Sequence, residues 1–193
     1  MSTEQLKTLR EDTGISMIEC KRALEEAKGD IEAAKKILRE KGKEMVKDKE
    51  GRKAGSGIVA TYIHPGDKIG ALLELHSETD FVAKSEDFKN LAHEICLQIA
   101  ASRPLFARPE DIPEEFLDGE KKIYAKQFED SGKPQKIVEQ IIEGKLKKYK
   151  DEVSLCSQPW VKDMDKTIQD LVNDYSAKVG EKIEIGRFAR YEV

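Results

Sequence analysis

The sequence predicts an α+β protein: three short helices at the N-terminus, then a core in which a small antiparallel sheet has its helices gathered on one face. Three observations carry this. Apolar residues recur at three- and four-residue spacing behind capping signals through residue 42, and alternation with a Pro-Gly turn marks a hairpin over 57–76. A second β-rich run follows a series of helical patterns and ends at Val193.

Composition narrows the class of protein. The 193 residues are 38% hydrophobic and 37% charged, with 34 basic against 38 acidic side chains and a net charge of -4. This balance predicts a water-soluble chain of one or two small domains, with no global field to select nucleic acid or a membrane. Cys20, Cys96 and Cys156 show no C-x-x-C spacing. Their odd number argues against a disulfide framework or a zinc site, and Cys20 and Cys96 read as buried thiols on apolar helix faces. The start Met1-Ser2-Thr3-Glu4-Gln5 has neither a basic nor an apolar leader pattern. No apolar run approaches the ~20 residues of a membrane span, so the expected location is cytoplasmic.

The first helix opens at Ser2, whose spacing to Gln5 is that of a capping box, presents Leu6 and Leu9, and breaks at Thr13-Gly14. Ser16 and Glu19 repeat the signal for a second helix with the stripe Met17, Cys20, Leu24 and Ala27, closed by Gly29. Asp30 caps a third, with Ile31, Ala34, Ile37 and Leu38 inward and Gly42 at its end. Such narrow stripes bury a small core, which suits docking better than catalysis. Met17 and Ile18 are adjacent, so both cannot face that core. The outlier either packs on the first helix or meets a partner.

Residues 43–56 read as a charged linker. Lys43, Lys47, Lys49, Arg52 and Lys53 suggest nucleic acid, but Glu44, Asp48 and Glu50 between them favour a solvated run, and Met45 and Val46 alone hint at more helix. The core follows over 57–193. Ile58 to Ile63 and the alternating Ile69, Ala71, Leu73 and Leu75 flank the turn His64-Pro65-Gly66-Asp67. Phe88, Leu91, Ala92, Ile95 and Ile99 then form one face of a long helix that Arg103-Pro104 stops. Pro104 to Gly119 reads as an exposed connection, Glu120–Phe128 and Pro134–Leu146 as helices, and Gln158-Pro159-Trp160 as an interruption. Thr167 caps a last helix ended by Gly180, and Ile183, Ile185 and Phe188 lie in a final strand where Gly186 permits a bulge.

The word Glu78-Thr79-Asp80-Phe81-Val82-Ala83-Lys84 stands between the hairpin and the helix opened by Ser85-Glu86-Asp87-Phe88. Its residues fit two roles. Phe81 could be a hydrophobic staple near Phe88 with Asp80 a turn residue, or a rigid turn could push both outward to act on a partner. No phosphate loop, dinucleotide fingerprint, nucleophile elbow or H-E-x-x-H occurs, and His64, His76 and His93 have no nucleophile to serve. No catalytic, metal or cofactor site is therefore expected.

Further words complete a recognisable order: Leu9-Arg10 with Thr13-Gly14, Cys20-Lys21-Arg22-Ala23-Leu24, Gly29-Asp30 with Leu38-Arg39, Gly132-Lys133-Pro134, Glu143-Gly144-Lys145-Leu146, Gln158-Pro159-Trp160-Val161-Lys162-Asp163, and Arg187-Phe188-Ala189-Arg190-Tyr191-Glu192-Val193. With the Thr79 word, this order resembles the short form of bacterial elongation factor Ts, the guanine-nucleotide exchange factor of elongation factor Tu. Ile15-Ser16 departs from the Ala-Gly common there.

The resemblance implies a ubiquitin-associated-like bundle over 1–42 that docks on the partner's nucleotide domain, with Leu9, Met17 and Ile18 at the matching positions. It implies that Asp80 and Phe81 enter the partner near its magnesium and phosphate site, with Thr79 and Val82 fixing the turn. It also implies that elongation factor Tu is met both GDP-bound and nucleotide-free, and that residues 57–193 form a dimerisation core in a two-plus-two complex. No direct nucleic-acid or membrane contact is expected. A helical adaptor would leave the α+β part unexplained, and an RNA binder would need aromatics among the linker lysines.

Overall fold

The computed structural model describes residues 2–49, 51–128, 132 and 134–193, with the backbone alone over 43–47. Met1, Glu50 and Lys133, used in the sequence reading, lie outside the described residues, as do the side chains of Met45 and Val46. The elements are α1 (Thr3–Thr13), α2 (Met17–Glu26), α3 (Ile31–Lys47), β1 (Ser56–Ile63), β2 (Ile69–Ser77), α4 (Asp80–Ala83), α5 (Glu86–Ser102), α6 (Glu114–Phe128), α7 (Gln135–Val153), β3 (Pro159–Trp160), β4 (Asp163–Thr167), α8 (Ile168–Val179) and β5 (Ile183–Glu192). The mixture of helices with sheet is the expected α+β class.

The sheet has the order β1-β2-β5. His64 N donates to Ile69 O at 2.9 Å to close the hairpin, and Asp67 N donates to His64 O at 3.0 Å across the Pro-Gly turn. β5 runs against β2, since Gly186 lies over Glu74 and His76 while Val193 N reaches Lys68 O. Ala71, Leu73, Leu75 and Ser77 are buried in alternation, so one face of β2 is covered. Gly186 has a specific reason to lack a side chain. A Cβ there would stand 2.6 Å from His76 Nε2, so the residue makes room for that ring.

Two compact units divide the chain: Met1–Ala60 with Glu74–His93 and Asp170–Gly186, and Thr61–Leu73 with Glu94–Gln169 and Arg187–Val193. In the first, Ser2 and Gln5 form the anticipated capping box at 3.1 and 2.8 Å. Ser16 Oγ accepts the Glu19 amide, and Asp30 Oδ1 accepts those of Glu32 and Ala33 at 2.9 and 3.0 Å. Leu9, Cys20, Ala23, Leu24, Ala34 and Leu38 form the buried cluster of these helices. Met17, expected within that stripe, is instead exposed. Gly42 does not end α3, which continues to Lys47. Gly42 is a point of close approach, where a Cβ would lie 3.3 Å from the Ala177 methyl of α8.

The second unit departs further from expectation. α6 begins at Glu114, because Pro113 O accepts the Phe116 and Leu117 amides and the Phe116 ring packs on Phe106 and Tyr149, at centroid distances of 5.3 and 6.2 Å. α7 continues past Leu146 to Val153. The stretch read as an interruption at Pro159-Trp160 is half of a small antiparallel hairpin with β4. A buried amide pair holds it. Gln98 Nε2 donates to Gln158 Oε1 at 3.1 Å and Gln98 Oε1 accepts Val161 N at 2.9 Å, so the polar groups leave water without losing partners.

Phe88 is fully buried, its ring 6.0 Å from that of Tyr175. Phe88→Ala is expected to cost about 3–5 kcal/mol through the cavity it leaves. Urea denaturation followed by circular dichroism measures this.

Candidate functional site

Where β2 ends, the chain enters α4, a single turn of helix. Thr79 is its N-cap, with Oγ1 accepting the Val82 amide at 3.4 Å, and Ala83 N and Lys84 N complete the turn on Thr79 O and Asp80 O. Val82 and Ala83 are buried. Successive helical residues point about 100° apart, so seating Val82 and Ala83 turns Asp80 and Phe81 to solvent. Phe81 is 87% exposed, which excludes a staple against Phe88. The Asp80 side chain is 72% exposed, with Lys84 Nζ at 3.3 Å. A hydrogen bond from Ser56, then one from Lys84, holds the Asp80 carboxyl below its ordinary range, so it is ionised at neutral pH.

The support beneath this tip comes from residues distant in sequence. Ser77 Oγ, fully buried, donates to Thr79 O at 3.0 Å. Glu181 accepts the Thr79 amide at 3.1 Å and the Thr79 hydroxyl at 2.6 Å. Glu78 Oε1 accepts Lys182 N at 2.6 Å and Arg52 Nη1 at 3.4 Å. On the far side, Ser85 Oγ donates to Val82 O at 2.8 Å, accepts Phe88 N at 3.2 Å and meets Tyr175 Oη at 3.1 Å. The result is an ionised carboxylate and an unburied aromatic on a base tied at both ends.

A family model described as Elongation factor TS matches residues 15–193. An elongation factor Ts of Moorella thermoacetica is 50% identical over all of this chain and 95% of its own length. Those of Desulforamulus reducens and Thermotoga petrophila are 48% and 47% identical, again over the whole chain and over 89% and 96% of their own lengths.

The chain belongs to the elongation factor Ts family.

Elongation factor Ts proteins act in translation elongation as guanine-nucleotide exchange factors for elongation factor Tu. The residues singled out in the sequence fall in two places. Thr79, Asp80, Phe81 and Val82 come together at the tip, two outward and two holding the turn. Met17 and Ile18, at the start of α2, are 43% and 66% exposed, whereas Leu9 is fully buried in the cluster of these helices. Sequence reasoning missed Glu78, Glu181, Lys182 and Tyr175 as supports. The one available signal was the acidic Glu181 directly after the helix-ending Gly180. Among the described residues no group of His, Cys, Asp and Glu could hold a metal ion, and no helix is long and apolar enough to cross a membrane. Burial pushes the Cys96 and Cys156 thiols up to about 11, which removes them as nucleophiles at neutral pH.

Because Thr79 caps the turn and Phe81 touches little, their removal separates structure from surface. Thr79→Ala is expected to cost about 1 kcal/mol of stability, and Phe81→Ala less than about 0.5 kcal/mol. Thermal melting of the two variants side by side checks the order.

Proposed function

We infer that the tip is the working part of the exchange factor, entering elongation factor Tu beside its magnesium and phosphate site and loosening its hold on GDP. The near-complete exposure of Phe81 beside an ionised carboxylate, on a turn tied to the chain at both ends, carries this reading. Phe81 fills a gap in the partner, and the Asp80 carboxylate disturbs the water and phosphate network around its metal. Thr79 and Val82 keep the turn in shape. The chain performs no catalysis of its own. It binds GDP-bound elongation factor Tu and, more tightly, the nucleotide-free form, since whatever weakens nucleotide binding is weakened by nucleotide in return. This takes place in the cytoplasm, without direct nucleic-acid contact.

Residues 1–42 serve as the docking module, 43–56 as the connection, and 57–193 as the core that carries the tip. Met17 and Ile18 make the contact with the partner's nucleotide domain, and Leu9 acts from below by fixing the helices that present them. Two adjacent exposed apolar side chains on a short helix suit such a contact better than a role in folding.

A second copy of the chain covers part of the core in this reading. Within the second unit, Ile63, Leu72 and Tyr191 are exposed around an apolar groove that Thr61, Gly70 and Val193 complete. The exchange complex then contains two copies of each protein.

Phe81→Ala is expected to slow GDP release at saturating exchange factor by more than about tenfold, with Asp80→Ala acting in the same direction and neither changing the melting temperature. Ile18→Asp is expected to weaken binding and leave the maximal rate unchanged. Stopped-flow release of a fluorescent GDP from elongation factor Tu, titrated with each variant, separates the two effects; normal release with Phe81→Ala would remove the tip from the mechanism. For self-association, light scattering is expected to give twice the 21.8 kDa chain mass for the native protein and the single mass for Leu72→Asp. A native monomer at working concentration would overturn the dimer.

A further inference from the structure

A helix of four residues has two backbone hydrogen bonds of its own, too few to hold its shape in water. A wedge must nonetheless keep its direction when it is pressed into a partner. Most of what fixes α4 is local, from Ser77, Ser85 and the burial of Val82. One contact is different in kind: the Glu181 carboxylate takes both polar hydrogens that Thr79 offers, at 3.1 Å from N and 2.6 Å from Oγ1.

The proton on the Thr79 hydroxyl has only one direction to go. Oγ1 accepts the Val82 amide, so its own hydrogen points to Glu181, and the single hydroxyl joins the cap of α4 to a carboxylate from the turn after α8. The arrangement is reciprocal, because Glu78 accepts the amide of Lys182 at 2.6 Å. Each segment lends a carboxylate to the other's backbone. Glu181 is itself held, its carbonyl accepting the hydroxyl of the buried Ser176.

We propose that Glu181 is a positioning residue for nucleotide exchange: by clamping the Thr79 amide and hydroxyl it fixes the angle at which Asp80 and Phe81 enter the partner. This rests on the reading of the tip given above. Glu181 is not a contact residue for the partner in this scheme, so its loss affects what the tip does after docking and leaves docking itself alone.

Glu181→Gln is the informative change. It keeps the size and one acceptor oxygen, which can still receive the Thr79 amide, but an NH2 group cannot accept the hydroxyl. With one charge-assisted hydrogen bond gone, some stability is lost, but the maximal rate of GDP release from elongation factor Tu, per folded molecule, is expected to fall roughly tenfold while half-saturation stays at its native value. Thr79→Ser, which keeps the hydroxyl, is expected to retain native exchange. In a double-mutant cycle, Glu181→Gln added to Thr79→Val should slow release no further, because both remove the same bond. Additive losses, or a maximal rate unchanged in Glu181→Gln, would overturn the proposal. Phe81→Ala measured in parallel distinguishes the failures. If Phe81→Ala is slow and Glu181→Gln is normal, this inference alone falls; if Phe81→Ala is normal, the reading of the tip falls and takes it along.

Discussion

An exposed aromatic can act on another protein only if its backbone is more rigid than the thing it pushes against, and a single helical turn cannot supply that rigidity alone. The fold answers from outside the turn. Val82 and Ala83 are sunk into the first unit, Ser77 and Ser85 bond the carbonyls on either side, and Tyr175 of α8 stands behind Ser85. These groups leave Asp80 and Phe81 facing solvent, Asp80 held only by the exposed hydrogen bonds from Ser56 and Lys84 and Phe81 almost without contacts. A residue released from structural duty in this way is free to be chosen for the partner.

The same separation explains how binding becomes exchange. In the proposed scheme, contacts made by the exposed apolar pair Met17 and Ile18 would give affinity that does not depend on the nucleotide state of the partner. Affinity of that kind shifts no equilibrium between states. On the proposed mechanism the tip differs, because a seat that competes with the partner's metal and phosphate groups would release its contact energy only as nucleotide leaves. Docking would then bring the wedge to the site, and the wedge would supply the difference between the bound and the emptied forms.

Much of this was legible in the sequence, for a physical reason. The caps at Ser2, Ser16 and Asp30, the alternation of β2 and the stripe of α5 are local signals, each readable within one or two turns or a few strand residues. Asp80 and Phe81 stood out because they lie between a finished strand and a newly capped helix, although excluding the staple needed the exposure of Phe81. What stayed hidden depends on distance. Glu181 and Tyr175 reach the tip only because α8 and β5 fold back beside β2, and no pattern in residues 78–84 points to them. The start of α6 at Glu114 depends on Phe116 packing against Phe106 and Tyr149. Gly42 read as a helix end because glycine commonly ends helices, whereas here it admits Ala177. Leu9 was grouped with Met17 and Ile18 only through the family resemblance, and its complete burial sets it apart from them.

The segment between α3 and β1 carries the logic of external support one step further. Its composition is that of a solvated tether, yet Lys49 is buried, its Nζ 3.3 Å from the Ser176 carbonyl in the last turn of α8. Desolvation, and then the nearby Arg52, lowers the pKa of that amine, a cost that one carbonyl and the negative end of α8 offset only in part. Three residues on, the Arg52 guanidinium meets Glu78, and the Arg52 carbonyl accepts Lys182 Nζ at 3.2 Å. The chain leaving the docking helices is thus fastened to the two segments, 78–79 and 181–182, that hold the tip. Of these ties the exposed pair is worth little, whereas the buried amine is costly to leave unpaired, and Ser176 serves on both sides, its carbonyl meeting Lys49 and its hydroxyl the Glu181 carbonyl. Lys49 and Glu181 thus share one residue of α8, which ties the segment after α3 and the base of the tip to the same helix end.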